Sequence, residues 1–211
     1  MMREGRKNRM KTMRLKKVSL GVILGIILGV IFTGAFFTGD VSAVSVTKYF
    51  GKSKKSSYNY SQCPNGTWIK GWNSCTYGCG WVTIASAKSY TRGGVSPRAL
   101  WKNVSLSKLN SGMSDSTFKS YAKKAGLSVS SVSKNAKSIG AAFASGKVLG
   151  LHLSGHWILA YGANITVTGT SKKNIKYTIK SICVSDPGHK ERRGKCVSPS
   201  SLGIKKIYGL K

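Results

Sequence analysis

Apolar residues recur at helical spacing in the first half of the chain beyond residue 58, and at strand spacing in the second half. Trp81, Ile84 and Ala85 follow Cys79 on one stripe, and Arg92-Gly93-Gly94 closes that helix. Pro97 opens a short helix over 97–103, since proline is tolerated at the first helical position. Ser114 caps a third helix, with Phe118, Tyr121, Ala122 and Ala125 on its core face and Gly126 as its stop. Asp115 is read with that cap. A fourth helix is predicted over 136–145, with Ile139, Ala142 and Phe143 inward. The period then shortens. Strands are expected over 147–153, 156–162, 164–168, 174–185 and 204–208. Ile175, Tyr177 and Ile179 alternate in one phase, and Ile182 and Val184 in the other, which predicts a bulge near Lys180. Helices first and antiparallel strands second is an α+β layout.

Residues 1–43 stand apart from this pattern. Eight basic residues precede an uncharged apolar run from Val18 to Phe37, and Val41-Ser42-Ala43 follows with small groups at the end. This is the order of a secretory signal peptide, which would leave Val44 as the mature N-terminus. The run is also long enough for a retained membrane anchor. Both readings export the remainder, with the domain extracellular or tethered to the membrane. Residues 44–57, rich in Ser, Lys and Tyr, are expected to be a linker before one domain spanning 58–211.

Composition narrows the chemistry. The chain holds 35 Lys and Arg against five Asp and Glu, a net charge of +30. Beyond residue 43 there remain 27 basic and three acidic groups, a net of +24. Such a field attracts anionic polymers, with wall polymers or an anionic membrane surface as the expected partners. No nucleic-acid motif is present, and no specific nucleic acid is expected. Asp115, Asp186 and Glu191 are the only carboxylates left, too few for a facing glycosidase pair or a calcium cage. No cofactor-binding motif is found, no cofactor is expected, and the domain is read as a monomer.

The five cysteines are Cys63, Cys75, Cys79, Cys183 and Cys196. An odd count in an exported chain leaves one thiol over. Cys63 and Cys75 are 12 apart across Pro64-Asn65-Gly66, and Cys183 and Cys196 are 13 apart across a Pro-Gly turn. Pairing within each loop would leave Cys79 free. Other pairings remain open at this stage, among them those in which Cys75 or Cys79 is a passive buried thiol.

Three residues then fall at element ends. Cys79, flanked by Gly78 and Gly80, starts a helix, where backbone N–H groups and the helix dipole favour a thiolate. Its own N–H can donate to a developing oxyanion. His156 begins a strand after the Ser154-Gly155 hinge and can serve as general base. Asp186, in Asp186-Pro187-Gly188, closes a neighbouring strand and can orient the imidazole.

These pieces resemble the papain-like peptidases related to the bacteriocin leader peptidases that cut after paired glycines. The resemblance rests on Tyr77-Gly78-Cys79-Gly80, Gly93-Gly94-Val95-Ser96-Pro97, Ala125-Gly126-Leu127, Gly155-His156-Trp157 and Val184-Ser185-Asp186-Pro187-Gly188, and covers residues 58–211. It implies a papain-like fold, N-terminal helices packed on a C-terminal antiparallel sheet, with Cys79, His156 and Asp186 as nucleophile, base and orienting acid. The implied activity is hydrolysis of peptide or cell-wall peptide bonds through a thioester. The family often has Pro-Thr after Cys-Gly, where this chain has Trp81-Val82. Papain-like sites place a Gln six residues before the nucleophile to complete the oxyanion hole. That position is Asn73 here, while Gln62, farther upstream, resembles a Gln in related free-standing domains. Both stay candidates. Three rival readings stand beside this one. Cys75-Thr76-Tyr77 faintly resembles the start of peptidoglycan-cleaving amidases and would make Cys75 the nucleophile. Cys75 and Cys79 with His152 and His156 could suggest zinc, although the spacing argues against a structural metal site. A catalytically inactive module gripping anionic wall polymer is the third.

Overall fold

The computed structural model describes residues 44–170 and 174–211. Helices and an antiparallel sheet share one chain, as an α+β fold. The helices are α1 (Ser74–Tyr77), α2 (Cys79–Arg92), α3 (Pro97–Trp101), α4 (Leu106–Leu109), α5 (Asp115–Lys124) and α6 (Ala136–Ala144). The strands are β1 (Val44–Gly51), β2 (Val129–Ser131), β3 (Val148–His152), β4 (Trp157–Gly169), β5 (Lys176–Ser185), β6 (Lys195–Val197) and β7 (Lys206–Leu210). The sheet runs β2-β7-β3-β4-β5-β6, and β1 pairs with β4.

Local chemistry explains most boundaries. The Ser96, Ser114 and Asn135 side chains accept from the N–H groups of Ala99, Thr117 and Ser138, capping α3, α5 and α6. Gly126 and Gly146, at φ +79° and +80°, take the left-handed turn after α5 and α6. Ser114 alone caps α5. Asp115 lies within the first turn, and its carboxylate turns away to His152 and Lys206.

The central strands carry alternate side chains into two cores. Trp157, Leu159 and Tyr161 of β4 join Trp81, Trp101 and Phe118 under α2, α3 and α5. Ile158, Ala160 and Ala163 join Leu149, Leu151, Ile139 and Phe143 beneath α6. Each large side chain so buried stabilises the fold by roughly 1.5–3 kcal/mol. In β5, Asn164 pairs with Ser181 while Ile165 pairs with Ile179, so Lys180 is the extra residue of a bulge. The bulge keeps Tyr177 and Ile179 on the same face as Ile182 and Val184 although the sequence phase changes.

Three expectations are corrected. Residues 44–57 are not a linker: β1 pairs along its whole length with β4, from Val44 opposite Gly169 to Gly51 opposite Gly162, and a 3-10 turn follows at Ser56–Tyr58. The strand reads as a linker because it lies mostly exposed, so backbone pairing rather than apolar patterning defines it. A strand therefore precedes the helices. The two expected strands over 156–162 and 164–168 are one, β4, in which Tyr161 is the unpaired residue of a second bulge. The signal or anchor segment lies outside the described residues. Among the described residues, no helix is long and apolar enough to cross a membrane.

Candidate functional site

Two disulfides, Cys63–Cys75 and Cys183–Cys196, leave Cys79 as the free cysteine. Such cross-links are those of an oxidising compartment. Cys79 is the first residue of α2, half-buried, with Gly78 as its cap. The neighbouring glycines are packed closely, Gly78 against backbone and Gly80 against a movable side chain. A Cβ on Gly78 would meet the Ser74 carbonyl oxygen at 2.3 Å, and one on Gly80 would meet the Met113 sulfur at 2.4 Å. The chain thus reverses tightly from α1 into α2, and Met113 closes over the residue after the thiol.

His156 enters from the sheet, immediately before β4. The following residue is fixed on three sides. Trp157 stacks on Phe118 at 3.9 Å between centroids, donates from Nε1 to the Met113 carbonyl at 2.9 Å, and accepts at its own carbonyl from the Thr83 hydroxyl of α2. This bond joins the strand that carries His156 to the helix that carries Cys79. His156 Nε2 lies 2.7 Å from Asp186 Oδ1, which leaves Nδ1 free of that bond. Burial alone would depress the imidazolium. The hydrogen bonds and charges of Asp186 and Cys79 outweigh it, and the His156 pKa is raised to about 9.

Asp186 follows β5 and is fully buried. Its Oδ1 also accepts from the backbone N–H groups of Gly188 at 3.0 Å and His189 at 3.2 Å. Burial would raise this carboxyl, but His156, Arg192 and the Gly188 N–H hold it below the ordinary carboxylate value. The Arg192 guanidinium stands 2.9 Å from Oδ2, off the line of a directed hydrogen bond, so the contact is a charge pair. Arg193 braces the loop itself, donating to the Asp186 and Pro187 carbonyls and to the Ser61 hydroxyl.

Gln62 and Asn73 part company here. Gln62 N–H donates to the Pro187 carbonyl at 2.9 Å, and its Nε2 donates to the Cys75 carbonyl. A Cβ placed on Gly188 would stand 3.0 Å from His156 Cε1 and 3.3 Å from Gln62 Oε1, so the histidine and this amide converge on one glycine. That Oε1 is buried and has no hydrogen-bond partner. Asn73 is exposed at the start of α1, and its side chain caps nothing.

Two rival readings lose their residues. Cys75 is cross-linked and offers no thiol, so it cannot be the nucleophile. The zinc set is dispersed: Cys75 is in the disulfide, and His152 stacks on Trp157 with its Nδ1 2.8 Å from Asp115 Oδ1. A different trio, His156, Asp186 and His189, brings ligand atoms within 4.8 Å of one another. Its carboxylate already meets His156, two backbone N–H groups and a guanidinium, and these contacts account for its geometry.

Sequence reading missed Met113, Arg192 and Arg193. The Arg-Arg pair after Asp-Pro-Gly was the available signal, in a chain with so few acids to pair with. Compared with protein-family models, with curated proteins and with solved structures, the chain matches none.

Proposed function

We propose that this chain is an exported cysteine peptidase of papain-like type, hydrolysing peptide or cell-wall peptide bonds with Cys79 as nucleophile, His156 as base and acid, and Asp186 as the orienting carboxylate. One observation carries the reading: His156 gives Nε2 to a fully buried carboxylate at 2.7 Å, and Asp186 together with Cys79, the free cysteine, raises its pKa to about 9 against the effect of burial. The resemblance around Cys79, His156 and Asp186 supports the same assignment.

The chemistry follows from that arrangement. The Cys79 thiolate attacks the scissile carbonyl carbon, and the electron pair of the C=O moves onto oxygen. The Cys79 N–H and the Gln62 side-chain amide are the assigned donors to that oxyanion. Gln62 Nε2 has two N–H groups, and the Cys75 carbonyl takes one. As the tetrahedral intermediate collapses, His156 gives its proton to the departing amine, the C–N bond breaks, and a thioester remains. A water then loses a proton to His156 and attacks the thioester. The Cys79 sulfur leaves as thiolate, and the acid is released.

A second reading keeps the fold and drops the reaction. With a net charge of +24 beyond residue 43, the domain could be a module that grips anionic wall polymer through its lysines. Covalent capture separates the two. The full chain is incubated at neutral pH with a panel of peptide and wall-peptide electrophiles, and adducts are located by mass spectrometry. The peptidase reading expects rapid labelling of Cys79, slowed about 100-fold by His156→Ala. Labelling no faster than that of an unstructured cysteine, and indifferent to His156→Ala, would leave the binding module.

A further inference from the structure

Asp186 presents an unusual charge problem. It is fully buried, yet the three donors that approach it along hydrogen-bond directions all reach Oδ1. Oδ2 is buried with no hydrogen-bond partner, and the guanidinium of Arg192 is the charge beside it at 2.9 Å. A buried carboxylate facing an imidazole is stable while the ring is charged. Each time the ring gives up its proton, that compensation is lost, and a proton would then be held more favourably on the carboxylate. Arginine is suited to prevent this, because its charge does not titrate in the working range.

We propose that Arg192 is a positioning residue of the Cys79–His156–Asp186 site: its guanidinium keeps the Asp186 carboxylate ionised, and turned with Oδ1 toward His156, while the imidazole alternates between charged and neutral forms. The proposal rests on the reading of His156 as the base of Cys79. Arg192 contacts neither the thiol nor the imidazole among the described interactions, so it acts through Asp186. Its neighbour Arg193 divides the labour, binding the loop's carbonyl oxygens rather than the carboxylate. The Cys183–Cys196 cross-link closes the segment that carries Asp186, Arg192 and Arg193. Besides Lys190 and Lys195, the other titratable groups on this segment are His189 and Glu191, which pair with each other at 3.0 Å, and the His189 ring lies 5.7 Å from that of His156.

The test is the rate of Cys79 alkylation by iodoacetamide across pH, read by mass spectrometry on the full chain. Far-ultraviolet circular dichroism and intact mass establish that each variant folds with both disulfides. Wild type is expected to show an upper inflection where His156 loses its proton. Removing a positive charge from the far side of Asp186 makes the imidazolium more favourable, so Arg192→Gln should move that inflection up by about one pH unit. Arg192→Lys should leave it within a few tenths of a unit of wild type. Arg193→Gln should also leave it in place. The same inflection in wild type and Arg192→Gln overturns the proposal. So does a shift in Arg193→Gln as large as that in Arg192→Gln, since the effect would then be loop geometry rather than charge. Should wild type show no upper inflection, the Cys79–His156 pairing fails first and this proposal falls with it. If Arg192→Gln proves unfolded, the Lys and Gly variants at 192 decide the matter on the same axis.

Discussion

At the scale of single residues, the two amides offered for the oxyanion hole now make opposite forecasts. Gln62 turns its amide oxygen, an acceptor, to the Gly188–His156 junction and has its second Nε2 N–H left to donate, whereas Asn73 lies exposed at the start of α1. Gln62→Ala should lower turnover on any substrate found by about 100-fold, the usual cost of one oxyanion donor, with little change in KM. Asn73→Ala should leave turnover within about threefold of wild type. Steady-state kinetics on both variants checks the pair. Sequence alone could not choose between them, because Gln62 is 17 residues before Cys79 and is brought back by a disulfide and a backbone bond to Pro187. Cys79, His156 and Asp186 were legible as candidates for the opposite reason. Each sits at the end of an element whose boundary is written in local glycine, proline or turn residues. Arg192 carried only a weak mark, the Arg-Arg pair after Asp-Pro-Gly in an acid-poor chain, since an ion pair to a buried carboxylate is visible only once the chain has folded.

At the scale of elements, the capped helices were the most legible part. Their N-caps, stops and apolar stripes all lie within a few residues of one another, and the bulge at Lys180 shows as a change of phase. The first strand was opaque, because an exposed edge strand carries no core face to read. The junction of α1 and α2 is the most demanding local structure. Gly80→Ala would press a methyl group into the Met113 side chain, and the thioether must shift to receive it. The expected cost is about 1–3 kcal/mol in urea unfolding, smaller if Met113 is shortened to Ala in the same chain. Equal destabilisation with and without the Met113 change would show that the contact is not the cause. Deleting Lys180 should cost less: it removes the extra residue, and Tyr177, Ile179, Ile182 and Val184 then alternate regularly on the one face they already share.

At the scale of the whole molecule, the site's charges make folding sensitive to pH. The folded pKa of His156, about 9, exceeds its ordinary value of 6.5. The imidazolium therefore adds stability that is fully present below about pH 6.5 and is lost as pH rises toward 9. The size is on the order of 3 kcal/mol. The Asp186 carboxyl is depressed, so its contribution is present above about pH 4 and is lost on acidification. Thermal unfolding should show a plateau between those limits, and His156→Gln should flatten the alkaline fall. An unchanged alkaline slope in that variant would assign the effect elsewhere. The two cross-links act at this scale too, each closing a loop of about a dozen residues and worth about 3 kcal/mol. One ties down the neighbour of Gln62, and the other clasps the ends of the Asp186 loop. Reducing agents, the customary means of keeping a nucleophilic thiol from oxidation, therefore meet a conflict in this chain. Mild dithiothreitol would rescue an oxidised Cys79, whereas a stronger dose would unlatch the walls around it, so activity should rise and then collapse along a reductant titration.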